Sequence, residues 1–442
     1  MPSPPHRATR SPTALYKLYR GGMTLLAPFA WQVVSRKLKR HEVPALRMQE
    51  RLGHASIARP AGKLVWFHGA SVGESLSVLT LIDALLERQP SLNILMTSGT
   101  ATSAEVLAKR MPKGCQHQFA PLDATGPVDR FLGYWRPDAG IFVDSEIWPN
   151  MLVRARAAGT RLALVNARLS RKSVEGWTKY PATSAFVLDQ FDLIVTQNRE
   201  NTDFMRQMGA DEARVHSGIN LKAMAKPLPV DELELARLRG QIGDRPIWVA
   251  ASTHRGEEET ILAAHAKLRQ RTPDALLILV PRHPERGDDV AQLIGMGSLT
   301  TARRSEGETP RADTDVLLAD TLGEMGLWYG LSDIVFMGGS LRAIGGHNPF
   351  EVASAGGVVI SGPHVSNFAE TYDAMERIGA ARLARTSDEI SASVLSYMDN
   401  ATSLEAAKTA GSQFVNRYGD KLDQITTLLM EELQLSEGVQ EA

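Results

Sequence analysis

The stretch Gly338–Glu370, GGSLRAIGGHNPFEVASAGGVVISGPHVSNFAE, decides how this chain folds. Just before it, Asp333 to Met337 (DIVFM) reads as a buried strand. Gly338 and Gly339 open a loop, Gly345 and Gly346 let the backbone approach a ligand closely, and Asn348-Pro349 cap and start a helix. The free N–H groups of that helix would point into the loop, making an anion cradle with a carboxylate, Glu351, beside it. The competing reading is a glycine-rich turn that binds nothing.

Outward from this stretch the same alternation repeats. Leu64 to Phe67, Asn93 to Thr97, Gly140 to Val143, Leu162 to Val165 and Leu193 to Thr196 read as strands, with helical runs such as Leu76 to Arg88 and Ser103 to Arg110 between them. KPLPVDE, Lys226 to Glu232, interrupts the pattern with two prolines and reads as a linker. The pattern restarts with Ile247 to Ala251, Ala275 to Val280, Val316 to Ala319, Asp333 to Met337 and Gly357 to Ser361. Two doubly wound α/β domains are expected, which place ligands at the carboxyl ends of strands. The expected boundaries are 1–50, 51–228 and 229–442, with the last helix free to cross back to the first domain. A chain of 442 residues is long enough for two cores.

Charge is near balance overall but uneven along the chain. Residues 1–51 hold ten Lys/Arg against two acids, and the remainder carries a net −9. That distribution predicts an anionic surface, rather than nucleic acid, as partner of the N-terminal end alone. Cys115 is the single cysteine, which excludes an intrachain disulfide and a cysteine-based metal cluster and fits a reducing compartment. Leu15 to Val34 is apolar and rich in aromatics, flanked by Lys17 and Arg20 and by Arg36, Lys37, Lys39 and Arg40, with Pro28 expected to kink any helix. Its uncharged run, Gly21 to Ser35, is 15 residues, short of the ~20 that span a bilayer. It reads either as an interfacial or marginally spanning anchor or as a helix packed on the body of its own chain.

The loops after the strands carry the chemistry. His68-Gly-Ala-Ser71-Val-Gly73-Glu74 admits three readings: a capping box of Ser71 and Glu74, a G-x-S-x-G nucleophile elbow, or a general base at Glu74. The elbow lacks upstream strands to supply an oxyanion loop. Asp144-Ser-Glu146 ends one strand with two carboxylates, and Asn166-Ala-Arg168-Leu-Ser-Arg171-Lys172 ends the next with three cations suited to an acceptor bearing phosphates. Ala251-Ser252-Thr253-His254-Arg255 reads as a phosphate-sized nest, and Pro281-Arg282-His283-Pro-Glu285 puts an Arg and a His at a strand tip. Asp320-Thr-Leu-Gly323-Glu324-Met325 follows another strand. Asp313-Thr-Asp315 precedes a strand and reads as a surface turn rather than a metal motif; no metal and no cofactor is implied.

HGASVGE, SEIWPN, NARLSRKS, PRHPER, DTLGEM and GGHNPFE, in this order, resemble the 3-deoxy-D-manno-octulosonic acid (Kdo) transferases of lipopolysaccharide synthesis. The resemblance runs from Glu50-Arg-Leu-Gly53 to Gly362-Pro-His364, about three quarters of the chain. It implies a GT-B glycosyltransferase architecture of two facing Rossmann-like domains with an N-terminal membrane-anchor helix. It also implies inverting, metal-independent transfer of Kdo from CMP-Kdo to the lipid A precursor (lipid IVA) on the cytoplasmic face of the inner membrane. By the matching motifs Glu74 is the base, and Glu146 and Lys222 (in Gly218-Ile-Asn-Leu-Lys222) stabilise the transition state, with Asp144 and Ser145 as alternatives to Glu146. Arg282, His283, Gly323, Glu324, Met325, Asn348, Pro349, Phe350 and Glu351, with Ser252, fall to the CMP side. Ser71, Gly73, Arg168, Arg171 and Lys172 fall to the acceptor. Two rivals are a UDP-sugar enzyme of the same fold, separable by CMP against UDP competition, and a non-enzymatic scaffold, which would have lost motif residues. The number of Kdo units added and the oligomeric state stay open.

Overall fold

The computed structural model describes residues 10–221, 224 and 228–436. The chain divides into two compact units, Met1–Lys222 with Asp420–Ala442, and Ala223–Gly419. The long helix Ala401–Glu432 thus gives its first part to the second unit and its last turns to the first.

The first unit is a parallel sheet of β1 (Leu64–His68), β2 (Asn93–Ser98), β3 (Gln116–Phe119), β4 (Ala139–Val143), β5 (Arg161–Ala167), β6 (Leu193–Thr196) and β7 (Val215–Ser217), in the order β3-β2-β1-β4-β5-β6-β7. The central strands β1, β4 and β6 are buried at every position, as expected where helices cover both faces. The strand order reverses between β1 and β4, and that switch point is where an open α/β sheet leaves a crevice.

The second unit repeats the scheme with β8 (Ile247–Thr253), β9 (Leu276–Pro281), β10 (Thr301–Arg303), β11 (Val316–Leu318), β12 (Ile334–Met337), β13 (Val358–Ser361) and β14 (Ala381–Leu383), in the order β10-β11-β9-β8-β12-β13-β14. Its switch point lies between β8 and β12. All ten strands expected from apolar runs are present. The four that were not expected, β3, β7, β10 and β14, are the outermost strands of the two sheets. Each is short and lacks a continuous apolar run, reading QHQF, VHS, TAR and ARL.

The N-terminal segment is one helix, Ala14–Arg40, and it continues through Pro28. Tyr16 and Leu38 are buried in the first unit, and the Tyr19 hydroxyl donates to Asp123 Oδ2 at 2.8 Å. The opposite stripe, Leu18, Leu25, Phe29 and Val33, is exposed, Leu25 by 84% and Phe29 by 67%. One face of the helix therefore packs on its own chain while the other presents apolar side chains outward. No described helix is long and apolar enough to cross a membrane.

Candidate active site

At the first switch point the chain leaves β1 through Gly69, where a Cβ would sit 3.1–3.2 Å from Glu74 and Ser75, and turns at once into the helix Val72–Ser77. Ser71 and Glu74 form a reciprocal capping box: the Ser71 N–H donates to Glu74 Oε2 at 3.0 Å and the Glu74 N–H to Ser71 Oγ at 3.3 Å. Ser71 has relaxed extended backbone (φ −103°), not the strained turn of a nucleophile elbow, and its hydroxyl is spent on the cap. Glu74 is thereby fixed at a helix N-terminus and remains partly exposed, and the open Gly73 beside it would meet nothing within 4 Å.

From β4 comes Glu146. It is almost fully buried, accepts from Trp148 Nε1 at 2.5 Å, and lies 3.1 Å from Nε2 of the equally buried His68, which ends β1. The His68 contact is close but poorly aligned, and Nε2 finds no well-directed hydrogen bond. The other ring nitrogen, Nδ1, is 3.0 Å from the Thr97 hydroxyl on β2. Burial alone would raise the Glu146 carboxyl; the His68 and Trp148 contacts outweigh it and hold it below the usual carboxylate range. His68 was not singled out from the sequence as a site residue. Two further residues bear the strain common at functional strand ends: Asp144 (φ 56°) and Asn166 (φ 52°), joined by a bond from Asn166 Nδ2 to Asp144 Oδ1. The loop is braced from behind by Asp123, which accepts the Met151 N–H at 2.7 Å and the Tyr19 hydroxyl of the N-terminal helix.

The cations behave unequally. Arg168 and Lys172 are exposed, whereas Arg171 is paired with Glu200 at 2.7 Å, a partner invisible in the local sequence. Lys222 lies outside the described residues.

In the second unit the protein's own carboxylate takes up several of the loop N–H groups. Glu257 is fully buried and accepts four backbone N–H groups: His254 (2.9 Å), Gly339 (2.7 Å), Ser340 (2.9 Å) and Leu341 (2.8 Å). It ties the loop after β8 to the loop after β12, taking one N–H from the first, within the stretch read as a phosphate nest, and three from the second. The close approach at Gly345 and Gly346 is likewise internal: a Cβ would stand 2.4 Å from Asn367 Nδ2 at the first and 3.1 Å from Val365 Cα at the second. The helix Phe350–Ser354 is only five residues, and its first N–H is taken by Asn348 Oδ1 at 3.1 Å. Pro349 precedes it as the cap residue, and Phe350 is a buried core side chain, edge-on to Phe414 and tilted against Tyr418, so both support the loop.

What remains open at this end is imidazole and guanidinium. Nε2 of His254 stands 3.0 Å from Nε2 of His347, the rings stacked within 11°. His283 packs edge-on against His254 with centroids 5.7 Å apart. Arg282 and His283 are exposed at the tip of β9, His283 lying 3.4 Å from Glu285. Ser252 holds a left-handed backbone (φ 55°) at the end of β8. Gly323 is an open left-handed turn, and Met325 starts the helix Met325–Leu331. Glu324 is committed to Arg304, 2.5 Å away, and to the Thr321 hydroxyl. Of the Asp313-Thr-Asp315 pair, Asp315 is buried and bonded to Arg269 and to the Thr300 N–H, a clamp where a surface turn was expected. No group of three or more His, Cys, Asp or Glu among the described residues is arranged to hold a metal ion.

A family model of 3-deoxy-D-manno-octulosonic acid transferase (kdotransferase) matches residues 46–225. The chain is 34% identical to the 3-deoxy-D-manno-octulosonic acid transferase of Haemophilus influenzae, over 87% of this chain and 90% of that protein. It is 34% identical to the enzyme of the same name in Rickettsia felis, over 84% of this chain and 79% of that one. The chain belongs to the Kdo transferase family. Its two seven-stranded units have the GT-B architecture, and a glycosyltransferase from Rickettsia africae shares the fold at 12% identity, with a TM-score of 0.53 over 85% of this chain and all of that one. UDP-GlcNAc 2-epimerase from Neisseria meningitidis shares it too, at 11% identity and a TM-score of 0.53, over 84% of this chain and 100% of that one. In this chain HGASVGE and SEIWPN meet at the first switch point through His68 and Glu146, and at the second His283 of PRHPER and His347 of GGHNPFE both pack on His254.

Proposed function

We propose that this protein transfers Kdo from CMP-Kdo to a hydroxyl of the lipid A precursor, with inversion at the anomeric carbon and without a metal ion. The observation that carries the reading is the fixed, partly exposed carboxylate of Glu74 at one switch point in a chain of this family. A sugar hydroxyl is a weak nucleophile, and Glu74 removes its proton as the oxygen forms the new bond to the anomeric carbon. The bond from that carbon to the CMP phosphate breaks, and the leaving phosphate gains negative charge. Arg282, exposed at the tip of β9, stabilises that charge.

Glu146 is an unsuitable base, because His68 and Trp148 occupy it; it holds the loop and the local charge in place. Arg168 and Lys172 offer cations to acceptor phosphates, and Arg171 joins them on leaving Glu200. Ser252, His283, Gly323, Met325, Asn348 and Glu351 surround the nucleotide. Lys222 stabilises the transition state on the family pattern.

The acceptor is a lipid, and the N-terminal helix supplies the means to reach it. Its exposed stripe of Leu18, Leu25, Phe29 and Val33, followed by Arg36, Lys37, Lys39 and Arg40, suits the anionic cytoplasmic surface of the inner membrane. Replacing Leu25 and Phe29 by Ser should release the protein from anionic vesicles in a flotation assay; unchanged flotation would remove this part of the reading.

The deciding experiment is mass-spectrometric detection of product from CMP-Kdo and a tetra-acylated lipid A precursor. Transfer of one or more Kdo masses is expected, with CMP a better inhibitor than UDP. No product, together with binding of UDP in place of CMP, would leave the family and fold standing and overturn the donor.

A further inference from the structure

Resting on the donor reading above, we propose that His254 and His347 act as one shared-proton pair that receives the nucleotide phosphate and takes up a proton from solvent when that phosphate is a dianion. The geometry points to it. The two Nε2 atoms face each other at 3.0 Å, so one must carry the hydrogen and the other accept it. Two N–H groups cannot both occupy that line, and the empty pair therefore holds at most one proton between the facing nitrogens. Both rings are half-buried, and a Cβ on Gly339 would come within 3.0 Å of His347 and 3.5 Å of His254, so only glycine lets the loop lie against them.

The surroundings favour an anion. Facing the pair are Arg282 and His283 from the loop after β9, with Glu257 and Glu258 at the start of the helix behind. Glu257 is saturated by four N–H groups, and Glu258 is bonded to Arg286 at 2.8 Å and to the Thr253 hydroxyl at 3.2 Å. Neither acid is turned toward the rings as a partner for an imidazolium. Burial first, then His254 and Arg282, push His347 down to about 4, and burial first also lowers His254. The pair is therefore neutral near pH 7 until an anion arrives.

Transfer supplies such an anion. In the donor the phosphate is a diester with one negative charge; breaking its bond to the sugar leaves a monoester with two. The acceptor's proton goes to Glu74, so the second charge on the leaving phosphate is left to be balanced by a cation at this end of the second unit. The pair provides it: a phosphate oxygen replaces the ring–ring bond, the ring that had accepted takes a proton from solvent at Nε2, and both Nε2–H groups then donate to that oxygen with one net positive charge. One proton enters from solvent, none is lost, and CMP is held as it departs.

Calorimetric titration of the full-length protein with CMP at pH 7.5, where the free phosphate monoester is mostly dianionic, tests this in buffers of different ionisation enthalpy. Uptake of on the order of half to one proton per CMP is expected, with affinity falling by up to about tenfold per unit rise in pH. Cytidine should cause no uptake. His254→Gln and His347→Gln should each abolish the uptake and weaken CMP on the order of tenfold. CMP binding to wild type with heats independent of the buffer would overturn the inference and leave the donor reading intact, as would uptake that persists in both variants. UDP binding with proton uptake while CMP fails to bind would do the reverse.

Discussion

The two sheets reverse strand order in the same way, yet their switch points hold opposite chemistry. Between β1 and β4 the strand ends converge on acids: Glu74 in its capping box, and Glu146 held by His68 and Trp148. Between β8 and β12 they converge on bases, with His254, His347, His283 and Arg282 outside and the carboxylate of Glu257 turned inward as a structural clamp. A carboxylate that faces outward can take a proton from a neutral hydroxyl, whereas one that is saturated by backbone N–H groups can only hold two loops together. On the proposed mechanism the same side-chain type does chemistry in one unit and architecture in the other, and the difference lies in how many donors reach it.

The largest expected effects fall on these two carboxylates. Glu74→Gln keeps an acceptor oxygen for the capping bond but cannot take a proton, and transfer should slow by roughly 10²–10⁴-fold with CMP affinity unchanged. Rate measurements under saturating donor check this; a loss under about tenfold would move the base elsewhere. Glu257→Ala should act on stability instead. It strands four N–H groups, and at roughly 1–3 kcal/mol for an unsatisfied buried group the second unit should lose at least ~3 kcal/mol in denaturant unfolding. If Glu257→Ala unfolds like wild type yet stops transfer, the clamp assignment is wrong and the contrast between the units collapses.

The ten inner strands were legible because both faces of each are covered, which forces nearly continuous apolar runs. The edge strands were not, since Gln116–Phe119 reads QHQF and Thr301–Arg303 has three residues. The capping box of Ser71 and Glu74 was legible because both partners lie within one turn. His68 with Glu146 was not: the two are distant in sequence and meet only because β1 and β4 are neighbours. Glu257 was hidden differently. It stands in a run of three acids, Glu257-Glu-Glu259, and nothing local says which one turns inward. The glycines of the loop after β12 were recognised as sites of close approach, but the approaching atoms belong to Asn367 and Val365. A spacing of residues shows that something must come near without saying whether it is ligand or protein.

A smaller effect separates the units by ligand. Arg282→Ala removes an exposed cation that engages no acid among the described residues, so the fold should tolerate it. A lost charge-assisted bond to phosphate predicts CMP binding weaker by roughly 10–100-fold, measured by calorimetry. The equivalent change at the acid end, Arg168→Ala, should leave CMP binding alone and raise KM for the lipid acceptor. Equal effects of both variants on CMP would mean that the nucleotide is not confined to the basic unit.

The smallest effect is also the most local, and it follows from the signs of the shifted groups. Glu146 is held below its ordinary value of 4.5, so its contribution is complete above that pH and is lost only as acid titrates the folded carboxylate. His347 is lowered from 6.5 to about 4, so the unfolded chain takes the proton first, and stability drains away as pH falls from about 6.5 toward 4. Between pH 7 and 5, therefore, the loop after β12 should weaken while the loop after β4 holds. His117 on β3 is pushed down to about 3 by burial and then by Arg47, which makes the far edge of the first sheet acid-sensitive as well, so a melting temperature would blur the two. Amide protection factors resolve them: residues 338–347 should lose protection across this range and residues 143–150 should not. His347→Gln should flatten the first response, because the titrating ring is gone while Glu257 still clamps the loop. Parallel loss in both loops would show that acid acts on the whole fold and not on the imidazoles of one unit.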